Sequence, residues 1–132
     1  MRILLAEDND LNAEIVSAML EAQGVQVERA ADGQAAVDLF ASSPAGHFQL
    51  ILMDIQMPVK SGLAAAAEIR RMALPDAETI PIVAMTANTF KEDQDSAAQA
   101  GMNGFVPKPF QVEKLCEVIE RCVRGGAGPV KP

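Results

Sequence analysis

The chain has 132 residues, 49% of them apolar and 22% charged, a length and balance that suit one globular domain and leave little room for a second. Its net charge of −7 and the absence of a basic cluster argue against direct nucleic-acid contact, and no apolar run approaches the ~20 residues of a membrane helix. Two cysteines outside any CxxC pair, Cys116 and Cys122, and an apolar run before Glu7 too short for a signal peptide lead us to expect a soluble, cytoplasmic domain.

Along the chain, short apolar runs alternate with longer segments of helical period. Ile3–Ala6 is an apolar run closed by acids and reads as a buried strand. Leu11, Ile15, Met19 and Ala22 follow at helical spacing until Gly24 ends the segment. Val25–Arg29 is a second strand, and Asp32-Gly33 turns into a helix carrying Ala36, Val37, Phe40 and Ala41. Phe48–Met53, the most apolar strand candidate, runs straight into Asp54. After Met57-Pro58 the alanine-rich Leu63–Ala73 makes a third helix, which Leu74-Pro75-Asp76 breaks. Ile80–Met85 is the fourth strand, with Pro81 near its start, where a missing N–H is tolerated. Lys91–Ala100 is a helix whose apolar residues are nearly all alanine. Gly104–Pro107 is the fifth strand, and Pro107 within it argues for a sheet edge. Val112, Leu115, Cys116, Ile119, Cys122 and Val123 mark the stripe of the last helix. Five strand–helix pairs imply an α/β, doubly wound fold, a five-stranded parallel sheet with five helices on its two faces. We place the domain at residues 1–124 and read 125–132, rich in glycine, as a flexible tail or linker.

In open sheets of this kind the functional site lies outside the carboxyl ends of the strands. Glu7 and Asp8 follow the first strand, Asp54 the third, Thr86 the fourth and Lys108 the fifth. Acids brought this close repel one another unless a cation joins them, and hard oxygen ligands suit Mg²⁺. Lys108 adds positive charge for an anion, and Thr86 adds a hydroxyl donor. The residues by themselves therefore describe a carboxylate that meets a phosphoryl group.

Four strings carry a resemblance: Leu5-Ala6-Glu7-Asp8-Asn9, Ile51-Leu52-Met53-Asp54-Ile55-Gln56-Met57-Pro58, Met85-Thr86-Ala87-Asn88 and Phe105-Val106-Pro107-Lys108-Pro109-Phe110. Over residues 2 to about 123 the chain resembles the receiver domains of two-component response regulators, and especially those of hybrid sensor histidine kinases. The resemblance implies a flavodoxin-like strand order of 2-1-3-4-5, an order for which the receiver family is itself a standard example. It implies that Asp54 accepts a phosphoryl group from the phosphohistidine of a histidine kinase or a histidine phosphotransfer protein. Glu7, Asp8, Asp54 and the backbone carbonyl of Gln56 would hold Mg²⁺, Glu7 mostly through water. Lys108 would contact the phosphoryl oxygens, with a cis bond to Pro109. Thr86 and Phe105 would form the switch, read out on the fourth helix, fifth strand and fifth helix, and phosphorylation can drive homodimerisation. Gln56 and Asn88, two beyond the phosphoacceptor and the threonine, would tune dephosphorylation. The chain departs from many relatives in having Glu at position 7 and Ser61 before Gly62, where an acid is frequent.

Singly, each residue has an ordinary reading: Asp54 a turn or cap, Thr86 a helix cap, Lys108-Pro109 a surface loop, Phe105 a half-buried core residue. His47, the one histidine, reads as exposed, and Cys116 and Cys122 as core filler. Joint placement at four strand ends favours the phosphoacceptor. An Asp-nucleophile phosphohydrolase resembling haloacid dehalogenases would carry a second Asp at position 56, where this chain has Gln56. A degenerate receiver binding partners without phosphate would lack part of the acid, Asp, Thr and Lys set, which is complete here. No enzymatic turnover of a separate substrate is expected. Neither G-x-G-x-x-G nor G-x-x-x-x-G-K-[ST] occurs, so a nucleotide-binding domain is disfavoured.

Overall fold

The structure, a computed structural model, describes residues 1–86, 91–107 and 111–125. Strands and helices alternate as β1 (Arg2–Ala6), α1 (Asp10–Glu21), β2 (Gln26–Ala30), α2 (Gly33–Ser42), β3 (Leu50–Asp54), α3 (Gly62–Arg70), β4 (Ile82–Thr86), α4 (Lys91–Gln99), β5 (Gly104–Pro107) and α5 (Val112–Gly125). The strands form one parallel sheet in the order β2-β1-β3-β4-β5, as the sequence and its resemblance imply. β5 lies at an edge, which accommodates Pro107.

Strand residues alternate between two apolar layers. Leu4, Ala6, Ile51, Met53, Ile82 and Ala84 pack with α2, α3 and Ala97 of α4. Ile3, Leu5, Leu50, Leu52, Val83 and Met85 pack with α1 and α5. Burial on both faces is why β1, β3 and β4 read as continuous apolar runs instead of alternating ones.

Among the described residues, three helices start on a side-chain cap. Asn9, Asp32 and Ser61 accept from the backbone N–H of Asn12, Ala35 and Ala64, which satisfies donors that the first turn leaves without partners. Each cap lies just beyond a strand end, so the turns that start these helices also shape the site.

Several expectations shift. The series Leu11, Ile15, Met19 and Ala22 is not the buried face of α1; Ala13, Val16 and Leu20 are, while Leu11 is 64% and Ile15 41% exposed. Helical spacing fixes a period, and both stripes share it; only packing selects the phase. β3 starts at Leu50, with Phe48 buried ahead of it, and Pro81 precedes β4. α3 ends at Arg70, three residues short of Ala73. Beyond Gly125 the expected tail lies outside the described residues. Among the described residues no helix is long and apolar enough to cross a membrane.

Candidate functional site

Parallel register aligns the strand ends. Asp54 closes β3 opposite Met85, and Thr86 closes β4 opposite Pro107. Glu7 and Asp8 follow Ala6, which pairs with both Ala30 and Met53. One carboxylate oxygen from each of Glu7, Asp8 and Asp54 falls within 4.8 Å of the others. Glu7 is fully buried, Asp54 is 5% exposed and Thr86 7%, whereas Asp8 faces solvent. The fit to a small divalent cation is good: three hard oxygen donors converge, two of them on carboxylates that burial keeps from dispersing their charge into water.

The β1–α1 loop is tied at every turn. The Glu7 N–H donates to Ala30 O at 3.1 Å, and Glu7 Oε1 accepts from the Asn9 N–H at 3.2 Å. Arg29 Nε and Nη2 both donate to the Glu7 carbonyl, at 3.1 and 2.8 Å, while Nη1 reaches Asp10 Oδ1 at 2.7 Å. The sequence alone presents Arg29 only as the end of a strand; a cation at the carboxyl end of β2, beside the acid loop, was the available signal.

The β3–α3 loop is equally constrained. The Gln56 N–H donates to Asp54 Oδ1 at 3.2 Å, and the Gly62 N–H to Ile55 O at 2.8 Å. A Cβ on Gly62 would collide with the Asp54 carbonyl, and one on Gly33 with the Lys60 carbonyl. Both positions demand glycine so that the loop can fold back over the end of β3. Between them the Lys60 N–H donates to Pro58 O at 2.7 Å across Val59, whose φ is 68°. This is a three-residue γ-turn of the strained, positive-φ kind.

Of the remaining residues singled out in the sequence, Phe105 is half-buried against the α2–α3–α4 layer, and Gln56 is exposed. Lys108, Pro109 and Asn88 lie outside the described residues. His47 is less exposed than expected: its Nε2 lies 2.6 Å from Glu28 Oε2, and its ring meets Phe48 edge-on. Cys122 is core, but Cys116 is only half-buried. Burial pushes the Cys122 thiol up, against a smaller downward pull from Arg121.

Known proteins share this fold. The sequence model of the response regulator receiver domain matches residues 3–120. Hybrid signal transduction histidine kinase I of Dictyostelium discoideum is 37% identical over 120 residues, which span 89% of this chain and 7% of that protein. The chain spans 7% to 10% of the length of the first hybrid kinases it matches. The polar-differentiation response regulator DivK of Brucella ovis is 35% identical over 120 residues, 89% of this chain and 92% of DivK. The receiver domain of a sensor histidine kinase from Pseudomonas aeruginosa PAO1, crystallised with a magnesium ion coordinated in its active-site cleft, superposes with a TM-score of 0.83 at 37% identity, covering 93% of this chain and 97% of that one. The receiver domain of the Saccharomyces cerevisiae response regulator Ssk1, crystallised with the histidine phosphotransfer protein Ypd1, gives a TM-score of 0.79 at 31% identity, covering 92% of this chain and 87% of that one. With the sheet order, the strand-end acids and a family match over residues 3–120 in agreement, the chain belongs to the response regulator receiver domain family of two-component signalling.

Proposed function

We propose that this receiver is a phosphoacceptor switch with Asp54 as its phosphorylation site. The observation that carries the reading is the placement of Asp54 at the end of β3, within ligand distance of Glu7 and Asp8. An Asp54 oxygen attacks the phosphorus of a phosphohistidine; the O–P bond forms as the N–P bond breaks, and the imidazole leaves with its electron pair. The Gln56 N–H orients the Asp54 carboxylate through its bond to Oδ1, and the buried Thr86 hydroxyl stands one strand away to donate to a phosphoryl oxygen. Lys108, from the loop after β5, would neutralise the same oxygens. Glu7, Asp8, Asp54 and the carbonyl of Gln56 would hold Mg²⁺, which when bound offsets the charge of the incoming phosphoryl group.

The partner is a histidine kinase or histidine phosphotransfer protein acting in the cytoplasm. Exposed Leu11 and Ile15 on α1, beside the acid loop, offer an apolar strip for a partner helix. The α4–β5–α5 face is the output surface, where phosphorylation can also drive homodimerisation. Gln56 and Asn88, both uncharged, adjust water access without supplying a base. The chain turns over no separate substrate, since a dehalogenase-like acid is absent at Gln56.

Intact-mass measurement after treatment with a small phosphodonor tests the reading. The wild type should gain one phosphoryl group only with Mg²⁺, and Asp54→Asn none. Full labelling of Asp54→Asn, or a rate indifferent to metal, would reject it.

A further inference from the structure

We propose that Arg29 is a positioning residue for the acid site, setting the direction of Asp8 through the backbone of Glu7. The inference rests on the reading that Glu7, Asp8 and Asp54 hold Mg²⁺. All three guanidinium nitrogens are used: Nε and Nη2 chelate the Glu7 carbonyl, and Nη1 holds Asp10 Oδ1 at the start of α1. The Glu7 carbonyl shares a rigid peptide plane with the Asp8 N–H. Clamping that oxygen therefore fixes the plane from which the exposed Asp8 side chain departs. Asp8 has no burial to hold it, so its direction is decided by the backbone on either side. On one side stands the Arg29 fork; on the other, Asn9 caps α1. The guanidinium side chain is itself only 30% exposed, so its methylenes are held while its fork acts.

Charge alone predicts the opposite effect. A guanidinium cation beside a Mg²⁺ site repels the metal, so a purely electrostatic Arg29 would weaken binding and its removal would tighten it. A positioning Arg29 strengthens binding, and its removal weakens it. The sign of one affinity change separates the two roles.

The experiment measures Mg²⁺ dissociation by titration calorimetry for wild type, Arg29→Lys, Arg29→Met and Asp10→Asn, with amide hydrogen exchange at residues 8–12 in metal-free protein. Arg29→Lys keeps the charge but cannot chelate a carbonyl while reaching Asp10. Both Arg29 variants should raise the dissociation constant by about tenfold, the usual scale for groups that orient a metal's ligands. Both should speed exchange at residues 8–12 while α3 stays unchanged. Asp10→Asn should stay within about twofold, since exposed pairs contribute little. Wild-type affinity in Arg29→Lys, tighter binding in Arg29→Met, or an Asp10→Asn loss as large as theirs would overturn the proposal. A wild type that binds no Mg²⁺ would instead overturn the reading of the acid site, and this inference with it.

Discussion

Val59 sits at φ 68° and is 81% exposed, a costly combination for a β-branched residue. The left-handed region costs a non-glycine residue about 1–2 kcal/mol. Val59→Gly should therefore stabilise the fold by up to about 1 kcal/mol after the added chain entropy of glycine is subtracted, whereas the same change in a helix destabilises. Denaturant melts give the sign, and a loss of stability would mean that the turn is not strained. Gly62 presents the reverse case. A methyl group there meets a backbone oxygen, so Gly62→Ala should cost about 1–3 kcal/mol and displace Asp54, lowering its phosphorylation rate as well. Asp54 also bears on apo stability. It is buried close to two other carboxylates, and like charges disfavour that arrangement. Mg²⁺ should raise the melting temperature of the wild type, and Asp54→Asn should raise the metal-free value and abolish most of that metal-induced rise. Equal melting temperatures in both comparisons would count against the cluster.

At the scale of elements, Arg70 joins three of them. From the last turn of α3 its Nε donates to Gly101 O at 2.9 Å, Nη1 to Ala77 O at 3.1 Å and Nη2 to Asn103 Oδ1 at 2.7 Å. Asn103 Oδ1 also accepts from the Ile82 N–H, so one side chain braces the starts of β4 and β5. Burial draws the Arg70 pKa down, yet the guanidinium stays charged because its usual value is so high. Arg70→Met should cost about 2–3 kcal/mol by removing these three hydrogen bonds, with β4 and β5 losing exchange protection first. Unaltered protection there would refute the brace. Before β5, α4 buries little of what is described: of its described side chains, Asp95 to Gln99, only Ala97 is buried, whereas α1 buries Ala13, Val16 and Leu20. Amides of α4 should exchange at least about tenfold faster than those of α1. A phosphoryl mimic should shift exchange mainly in α4 and β5. A response confined to α1 and α2 would move the output surface elsewhere. On α5, Gly104 of β5 lets the helix approach until Cys122 Sγ would lie 3.3 Å from a Cβ at that position. A thiol whose pKa folding raises contributes stability below its unfolded pKa and loses it as pH climbs through the folded value. Alkylation should accordingly reach Cys116 well before Cys122, and equal rates would contradict the burial.

For the whole molecule, the two apolar layers anchor the sheet while its carboxyl edge is left for charge. Mg²⁺ that bound only the folded state would stabilise it by mass action, by about 2.7 kcal/mol at a hundred times the dissociation constant. Leu11 and Ile15 lie outside both layers, so Leu11→Asp with Ile15→Asp should leave the melting temperature nearly unchanged. The same pair should slow phosphotransfer from a histidine phosphotransfer protein by at least about tenfold, the scale of losing a central apolar contact. Phosphorylation by a small donor should proceed as in wild type. Slowing of both reactions alike would place the defect in the site, not in docking.

The sequence by itself determined the fold class, the order of elements and the strand-end residues. Buried parallel strands must be continuous apolar runs, and the runs ending at Ala6, Met53 and Met85 each deliver the chain to a residue of the site. Tertiary structure alone decided which stripe of α1 faces inward, because Leu11–Ile15 and Val16–Leu20 have the same period and differ only in phase. It alone decided that Arg29 grips the Glu7 carbonyl, that Arg70 braces two strands, and that Gly33 and Gly62 are glycines by steric necessity. Arg29 lies 22 residues from Glu7 and Arg70 lies 31 from Gly101, and local periodicity carries no information about which distant backbone oxygen will lie within reach.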